Sequence, residues 1–454
     1  MTSVLWLRRD LRRRDNPALL AARDAAGDGD LVVAFVVDPL LWEVGGPVRR
    51  AWLAANLRAL DDSLDGNLTL LHGNPRAVVP RLAERVGASS VHVTRETTPV
   101  GRRRDEVVAG RLGAAGVEWV ETGTPYAVGP GIVVNGSGDP YKVFTPFSKA
   151  WRRHGWPGPA SSPRSLPIRH ARNDAEATAA LEAALAASDL PDLPAPGEEA
   201  ALRRWRRFRD EHVGGYAEDR DRPALDHTSR MSPYLKLGVV HPRTLLADLS
   251  SRRGKGVDTF VDELAWREFY ADVLWHHPSS AWHDLRPALQ GMRYDDPAEA
   301  VEAWRTGHTG YPVVDAGMRQ LLAQGWMHNR VRMITASFLT KDLHVWWPVG
   351  ARHFLDHLVD GDVASNNHGW QWVAGTGTDA SPYFRVFNPV TQGERFDPDG
   401  DYVRHWVPEL RHLAGRAAHR PWEHDDGYAH GYPERVVDHA VERQEALDRY
   451  RSVS

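Results

Sequence analysis

Cysteine is absent from the 454 residues, which excludes a disulfide framework, thiolate catalysis and Cys-ligated metal centres. Long apolar runs are missing too. None approaches the ~20 residues needed to span a bilayer, and Met1 leads at once into the strand-like Val4-Leu5-Trp6-Leu7 rather than a signal peptide. A cytoplasmic protein without membrane contact is expected, and Asn135-Gly136-Ser137 is expected to carry no glycan. Positive charge is not in excess either. With 56 Lys and Arg against 60 Asp and Glu the formal net charge is −4, which argues against nonspecific coating of nucleic acid but leaves room for a local basic groove. Internal repeats and low-complexity tails are not found. What remains is a chain 42% hydrophobic, long enough for two or three domains, with 18 tryptophans gathered mostly in its second half.

Short apolar runs at Ser3–Leu7, Leu31–Val37, Leu68–Leu71, Ser90–Thr94 and Val117–Glu121 alternate with single helical-period segments. That βαβ pattern predicts an α/β doubly wound parallel five-stranded sheet, with a ligand crevice at the carboxyl ends of its strands. Gly129–Phe144, with Gly136-Ser137-Gly138-Asp139-Pro140 at its centre, reads as a hairpin. Proline, glycine and serine then accumulate over Gly155–Pro167 and Ser188–Gly197 around one alanine-rich helix. The expected division is an α/β domain over 1–128, a hairpin and linker over 129–197, and an all-α domain over 198–454.

Three regions carry candidate chemistry. In Thr228-Ser229-Arg230-Met231-Ser232-Pro233, three hydroxyls and a guanidinium precede a helix start and suit the pyrophosphate of a dinucleotide; a plain serine cap is the competing reading. A helix predicted over Val257–Trp275 places Glu263, Trp266, Arg267 and Tyr270 on one face, as the lining of a polar-aromatic cavity or as an ordinary amphipathic face. Asn329 and Met333 fall one turn apart, followed by Asp360-Gly361-Asp362, Asn366-Asn367-His368-Gly369-Trp370-Gln371-Trp372 and Gly375-Thr376-Gly377-Thr378-Asp379. So many Asn, Gly and Trp residues make poor helix and must serve shape. His353 and His357 have the spacing of a metal-binding pair, but no third ligand completes a metal site.

These motifs, with Leu7-Arg8-Arg9-Asp10-Leu11-Arg12, Trp266-Arg267-Glu268-Phe269-Tyr270, Thr309-Gly310-Tyr311-Pro312-Val313-Val314-Asp315-Ala316 and Phe384-Arg385-Val386-Phe387-Asn388-Pro389, give the chain a resemblance to the photolyase/cryptochrome family, specifically class I photolyases for cyclobutane pyrimidine dimers. The likeness covers nearly the whole chain. It implies an amino-terminal antenna domain and a helical domain holding FAD, whose light-excited reduced flavin lends an electron to the dimer and takes it back after the ring opens. Tyr216, Thr228, Ser229, Arg230, Met231 and Ser232 would contact FAD. Arg332, Asp360 and Asp362 would hold its flavin, ribityl and adenine parts, and Asn366 would face flavin N5.

The resemblance further implies that Glu263 bonds the base edge of a dimer flipped out of UV-damaged DNA, assisted by Asn329. Trp266, Met333 and Trp372 would pack on the bases, with Tyr270 and Gln392 in the same lesion-binding set. Arg220, Arg267, Arg330 and Arg385 would meet the DNA around the lesion. A (6-4) photolyase would carry histidines where Asn329 and Met333 stand, so the cyclobutane substrate is favoured. Photoreduction would run through Trp370 and Trp347, with Tyr294, or a neighbouring Trp, where the third tryptophan is missing. His368 departs from many relatives. Thr97–Gly101, Arg102–Asp105 and Val37-Asp38-Pro39 match the region of a second, antenna chromophore, 8-hydroxy-5-deazaflavin rather than methenyltetrahydrofolate, although Arg102, Arg103 and Arg104 by themselves read as a solvated helix face. A monomer is expected. The rival function is a cryptochrome, a photoreceptor that signals without repair, and Asn366 speaks against it.

Overall fold

The computed structural model describes residues 1–453 except 164, 188–190, 287–288, 290 and 379–384. Ser188 at the start of the second linker stretch, Asp379 and Phe384 therefore lie outside the described residues. The chain divides into two compact units. The first comprises Met1–Leu190, Pro194–Gly214 and Ser229–Pro278; the second comprises Pro191–Leu193, Gly215–Thr228 and Ser279–Ser454. By compactness, the long helix Lys255–His276 thus groups with the sheet. Among the described residues no helix is long and apolar enough to cross a membrane.

The first unit is built on five parallel strands, β1 (Thr2–Leu7), β2 (Leu31–Val37), β3 (Thr69–His72), β4 (Ala88–Val93) and β5 (Glu118–Glu121), in the order β3-β2-β1-β4-β5. Val4 lies opposite Val32 on one side and Val91 on the other, and all seven residues of β2 are buried, as the unbroken apolar run requires. Four crossover helices start with proline behind a capping side chain. Asn16, Asp38, Asn74 and Thr98 accept from the amides of Leu19, Leu40, Arg76 and Gly101. Proline suits this first helical position because its missing N–H would have had no partner there. The expectation of single helices fails once: Gly46-Pro47 restarts the chain between β2 and β3, giving Pro39–Glu43 and then Pro47–Ser63.

The expected hairpin shrinks to one bridge, Val134 opposite Pro140. Asn135 closes the turn by accepting from the amides of Ser137 and Asp139, and Pro140 has no N–H to extend the ladder. The preceding segment is fixed from elsewhere. Buried Glu268, on Lys255–His276, accepts from the backbone amides of Ala127, Val128 and Gly129 and from the Trp151 indole at 2.8 Å. One turn further, Asp272 takes the Gly131 amide at 2.7 Å. Burial pushes the Glu268 carboxyl up, and these donors oppose that push.

The second unit is helical, with a core that includes Trp304, Tyr311, Phe338, Trp347, Phe354 and Trp370. The run Thr309–Ala316 is explained by this core. Buried Asp315 accepts from the amide and hydroxyl of Thr309, the amide of Gly310 and, at 2.6 Å, the hydroxyl of Tyr432. Gly310, at φ 76°, passes the Glu434 carbonyl at a distance no side chain permits.

The helix Val363–Ala374, capped by Asp362 and ended by Gly375 at φ 87°, keeps its poor helix formers for contacts with a neighbouring segment. Asn367 donates to the Ala281 carbonyl, His368 Nε2 meets the Ser280 hydroxyl at 2.9 Å, and Gln371 both donates to the Ser280 carbonyl and accepts from the Leu285 amide. His368 is thereby accounted for as a buried strut.

Replacing Glu268 by Ala strands four buried donors. We expect a loss of about 3–5 kcal/mol from the unfolding free energy, read by urea denaturation, with Glu268→Gln falling between the two.

Candidate active site

The expected site residues fall in both units, and each set is coherent by itself. In the first unit, Glu263, Trp266, Arg267 and Tyr270 are half-buried on Lys255–His276, the side of the helix left by the inward-facing Glu268 and Asp272. Trp266 lies flat on Phe144, centroids 3.7 Å apart and planes 7° from parallel, with Tyr270 tilted against it at 5.3 Å. One face of the Trp266 ring is therefore taken. Arg267 departs from the expected phosphate contact: it donates to the carbonyls of Pro125 and Leu235 and sits 4.3 Å over the Tyr126 ring, so its two terminal nitrogens already bond inside the unit.

In the loop before Ser232–Leu237, Arg230 holds φ 48°, a conformation a non-glycine residue adopts only under constraint. The Ser229 carbonyl accepts from Arg204, and its hydroxyl accepts from the Met231 amide. Met231 is 2% exposed and has little surface for a ligand, whereas Ser232 opens the helix ahead of Pro233.

The second unit places Tyr216 on the short helix Tyr216–Asp219, followed by Arg220, with Thr228 closing the segment. Arg220 and Arg330 were both expected on DNA, yet both approach Asp221, at 4.0 and 2.9 Å, and Arg330 also covers the Phe396 ring. A carboxylate between them holds their charges at the surface. Asn329 is exposed at the start of the helix Asn329–Ser337, with Met333 half-buried one turn on. Arg332 pairs with Asp360 at 2.9 Å and donates to the Met327 carbonyl. Met333 and Trp372 pack partly buried on the core. Arg385 is exposed, and Gln392 is half-buried on Pro389–Phe396.

Asn366 and Trp370 share a face of Val363–Ala374, one turn apart. The Asn366 amide nitrogen donates to the Ala351 carbonyl at 3.1 Å and to Asn367 at 2.8 Å, which leaves its oxygen as the acceptor offered to a ligand. The Trp370 indole nitrogen is buried without a partner among the described residues. A neutral acceptor beside a buried aromatic donor fits a planar ring with its own N–H and carbonyl groups, so these residues suit a flavin. The Trp370 ring presses on Gly350, where any Cβ would collide with it, and Trp347 stands one turn away on the same helix, Trp347–His357. Trp347 donates to Asp284 at 2.6 Å.

At the carboxyl ends of β1 and β4, where the strand order reverses, Arg8 pairs with Asp105 at 2.7 Å and Thr94 donates to Asp10 at 2.6 Å. Burial alone would raise the Glu96 carboxyl, but Arg9, Arg8, Arg104 and the Thr98 amide bring it down to about 2. The expected solvated face holds for Arg103 alone. Arg104 pairs with Asp105 and covers Trp6, and Arg102 lies 3.6 Å over the Trp275 ring. After β2, Asp38 caps a helix whose Leu40 and Leu41 are 66% and 51% exposed. Paired charges and open apolar side chains at this end of the sheet are compatible with a second flat chromophore. The rings of His353 and His357 lie 4.4 Å apart at a 43° tilt, and burial, then His357 and Arg305, takes His353 down to about 3. Among the described residues no three metal-ligating side chains converge.

Residues 3–165 match the family model of DNA photolyase, and residues 260–452 match that of the FAD binding domain of DNA photolyase. The deoxyribodipyrimidine photo-lyase of Streptomyces griseus is 42% identical, aligned over 97% of each chain. This chain belongs to the DNA photolyase family. The photolyase of this name from Escherichia coli is 36% identical over 99% of this chain and 98% of its own. Among solved structures, a bacterial class III photolyase from Agrobacterium tumefaciens aligns with a TM-score of 0.91 at 36% identity, covering all of this chain and 97% of that one. An archaeal photolyase from Sulfolobus tokodaii with two FAD molecules aligns at 0.85 and 29%, covering both chains fully.

For a photolyase, the sequence had offered no role to Asp221, Asp284 or Trp346, although the doublet Trp346-Trp347 was a visible signal. A methyl group at residue 350 tests the packing directly. Gly350→Ala should displace the Trp370 ring and lower stability by about 1–3 kcal/mol, with a changed near-UV circular dichroism spectrum as the readout.

Proposed function

We propose that this chain repairs cyclobutane pyrimidine dimers in DNA under blue light, acting as a monomer in the cytoplasm. The full-length likeness to deoxyribodipyrimidine photo-lyases supports the reaction class. The observation that carries the choice of lesion is the Asn329/Met333 pair on one helical turn. Neither side chain titrates near neutrality, so a route that needs an imidazole to pass a proton is closed, whereas dimer splitting by electron loan needs only position and electrostatics.

Bound FAD would supply light absorption and the one-electron donor. The protein's own residues do the rest. Within the second unit, Arg332, charge-paired to Asp360, Asp362 at the head of Val363–Ala374, Tyr216 and Thr228 would hold the cofactor. The Asn366 carbonyl would accept from N5–H of the reduced ring, and a neutral amide neither protonates the ring nor repels its negative charge. Glu263 and Asn329 would bond the base edges of the flipped dimer, while the open face of Trp266, Met333, Tyr270 and Trp372 would replace stacking lost from the helix, about 1–3 kcal/mol per base. Arg220, Arg330, Arg385 and Gln392 would meet the strand around it; Arg267 would act by holding the long helix in place. A second chromophore, 8-hydroxy-5-deazaflavin in preference to methenyltetrahydrofolate, would lie at the β1/β4 end of the sheet.

Chemically reduced protein should remove a cyclobutane thymine dimer from a synthetic oligonucleotide under blue light and leave a (6-4) product intact. Repair of neither, with FAD bound, would replace this reading by that of a photoreceptor.

A further inference from the structure

Tyr294 occupies the place expected of the outermost electron donor, yet its surroundings do not suit the task. Its hydroxyl is buried with no hydrogen-bond partner among the described residues, and burial, with Asp284 nearby, pushes the phenol well up. A phenol gives up an electron readily only when its proton can leave at the same time, and among the described residues no acceptor bonds this one.

Trp346 stands beside it with the opposite properties. Its ring lies 6.4 Å from Trp347 and 6.5 Å from Tyr294, and it is 36% exposed where Trp347 is 1%. Both indoles donate to the same oxygen of Asp284, Trp347 at 2.6 Å and Trp346 at 3.5 Å. Inward, the Trp370 ring rests on Gly350, one turn from Trp347. Trp370 therefore packs on the helix that carries Trp347, and the Trp347–Trp346 pair continues from that helix to solvent within one unit.

We propose that photoreduction runs through Trp370, Trp347 and Trp346, with Trp346 as the surface terminus and Asp284 as a positioning residue that holds the two outer indoles. The assignment rests on the flavin reading of the site. Trp370 gives one electron to the light-excited flavin and is refilled by one from Trp347, which is refilled in turn by one from Trp346. The net loss is one electron from Trp346, whose indole cation releases its N–H proton to water. A soluble thiol then returns one electron to the neutral indolyl radical, and water returns the proton. Direction comes from hydration: a cation is disfavoured on the dry ring of Trp347 and favoured on the wet one of Trp346.

The test is flash transient absorption of the flavin-loaded full chain, following the tryptophanyl radical, in wild type, Trp346→Phe and Tyr294→Phe. We expect the radical in Trp346→Phe to recombine about tenfold faster, with a matching fall in thiol-driven photoreduction, and wild-type decay in Tyr294→Phe. Unchanged decay in Trp346→Phe, or loss of the long-lived radical in Tyr294→Phe, overturns the assignment. Wild-type protein gives a reading that needs no variant: under blue light a spin trap in solution should add to residue 346, and addition at residue 294 instead contradicts the proposal. The radical is observed whether or not dimers are split, so failure of this relay and failure of the repair reading are separate results.

Discussion

The indole of Trp370 can press on the helix Trp347–His357 only because residue 350 has no side chain, and the arrangement of the second unit follows from that approach. It sets the rotation of Val363–Ala374 about its axis. Trp370 then faces the helix that carries Trp347, Asn366 shares that face one turn earlier, and Asn367, His368 and Gln371 point to the segment 280–285. Asparagine, histidine and glycine in a helix interior lower its intrinsic stability by roughly 0.5–1 kcal/mol each. The buried hydrogen bonds of Asn367, His368 and Gln371 offset this at about 1 kcal/mol apiece. One helix thus combines anchoring with the residues proposed for cofactor contact and electron supply, in a composition that helix propensity alone would reject.

The first unit solves a different problem with the same economy. Lys255–His276 has Glu268 and Asp272 on its inner side, where they collect the amides of residues 127–131 and the Trp151 indole. Those bonds fix the helix against the chain leaving the sheet. Glu263, Trp266 and Tyr270 are consequently carried on an anchored element, which suits the lesion contacts proposed for them.

Much of this was readable in the residues. The five strands lie within two residues of their apolar runs at each end; β1 and β2 are the clearest, because a strand buried on both faces leaves a near-continuous apolar signature, and Lys255–His276 announced itself by its periodicity. What the sequence did not disclose shares a cause. Arg267 bonds to carbonyls 142 and 32 residues away, and Arg330 to a carboxylate 109 residues away; no local pattern distinguishes such an arginine from one left for phosphate. Asp315 gathers its own loop together with Tyr432, 117 residues on, so a motif that carries family likeness proves to serve the core. Tyr294 was placed by motif position, and only the burial of its hydroxyl separates it from Trp346.

In the proposed repair enzyme, the face of Val363–Ala374 bearing Asn366 and Trp370 lies against the flavin. The fluorescence lifetime of bound FAD in wild type and in Trp370→Phe tests this most directly. Electron transfer from an adjacent indole should quench the wild-type emission strongly, and the lifetime should lengthen by at least about tenfold in the variant. Equal lifetimes in the two proteins, at equal cofactor content, would contradict the claim.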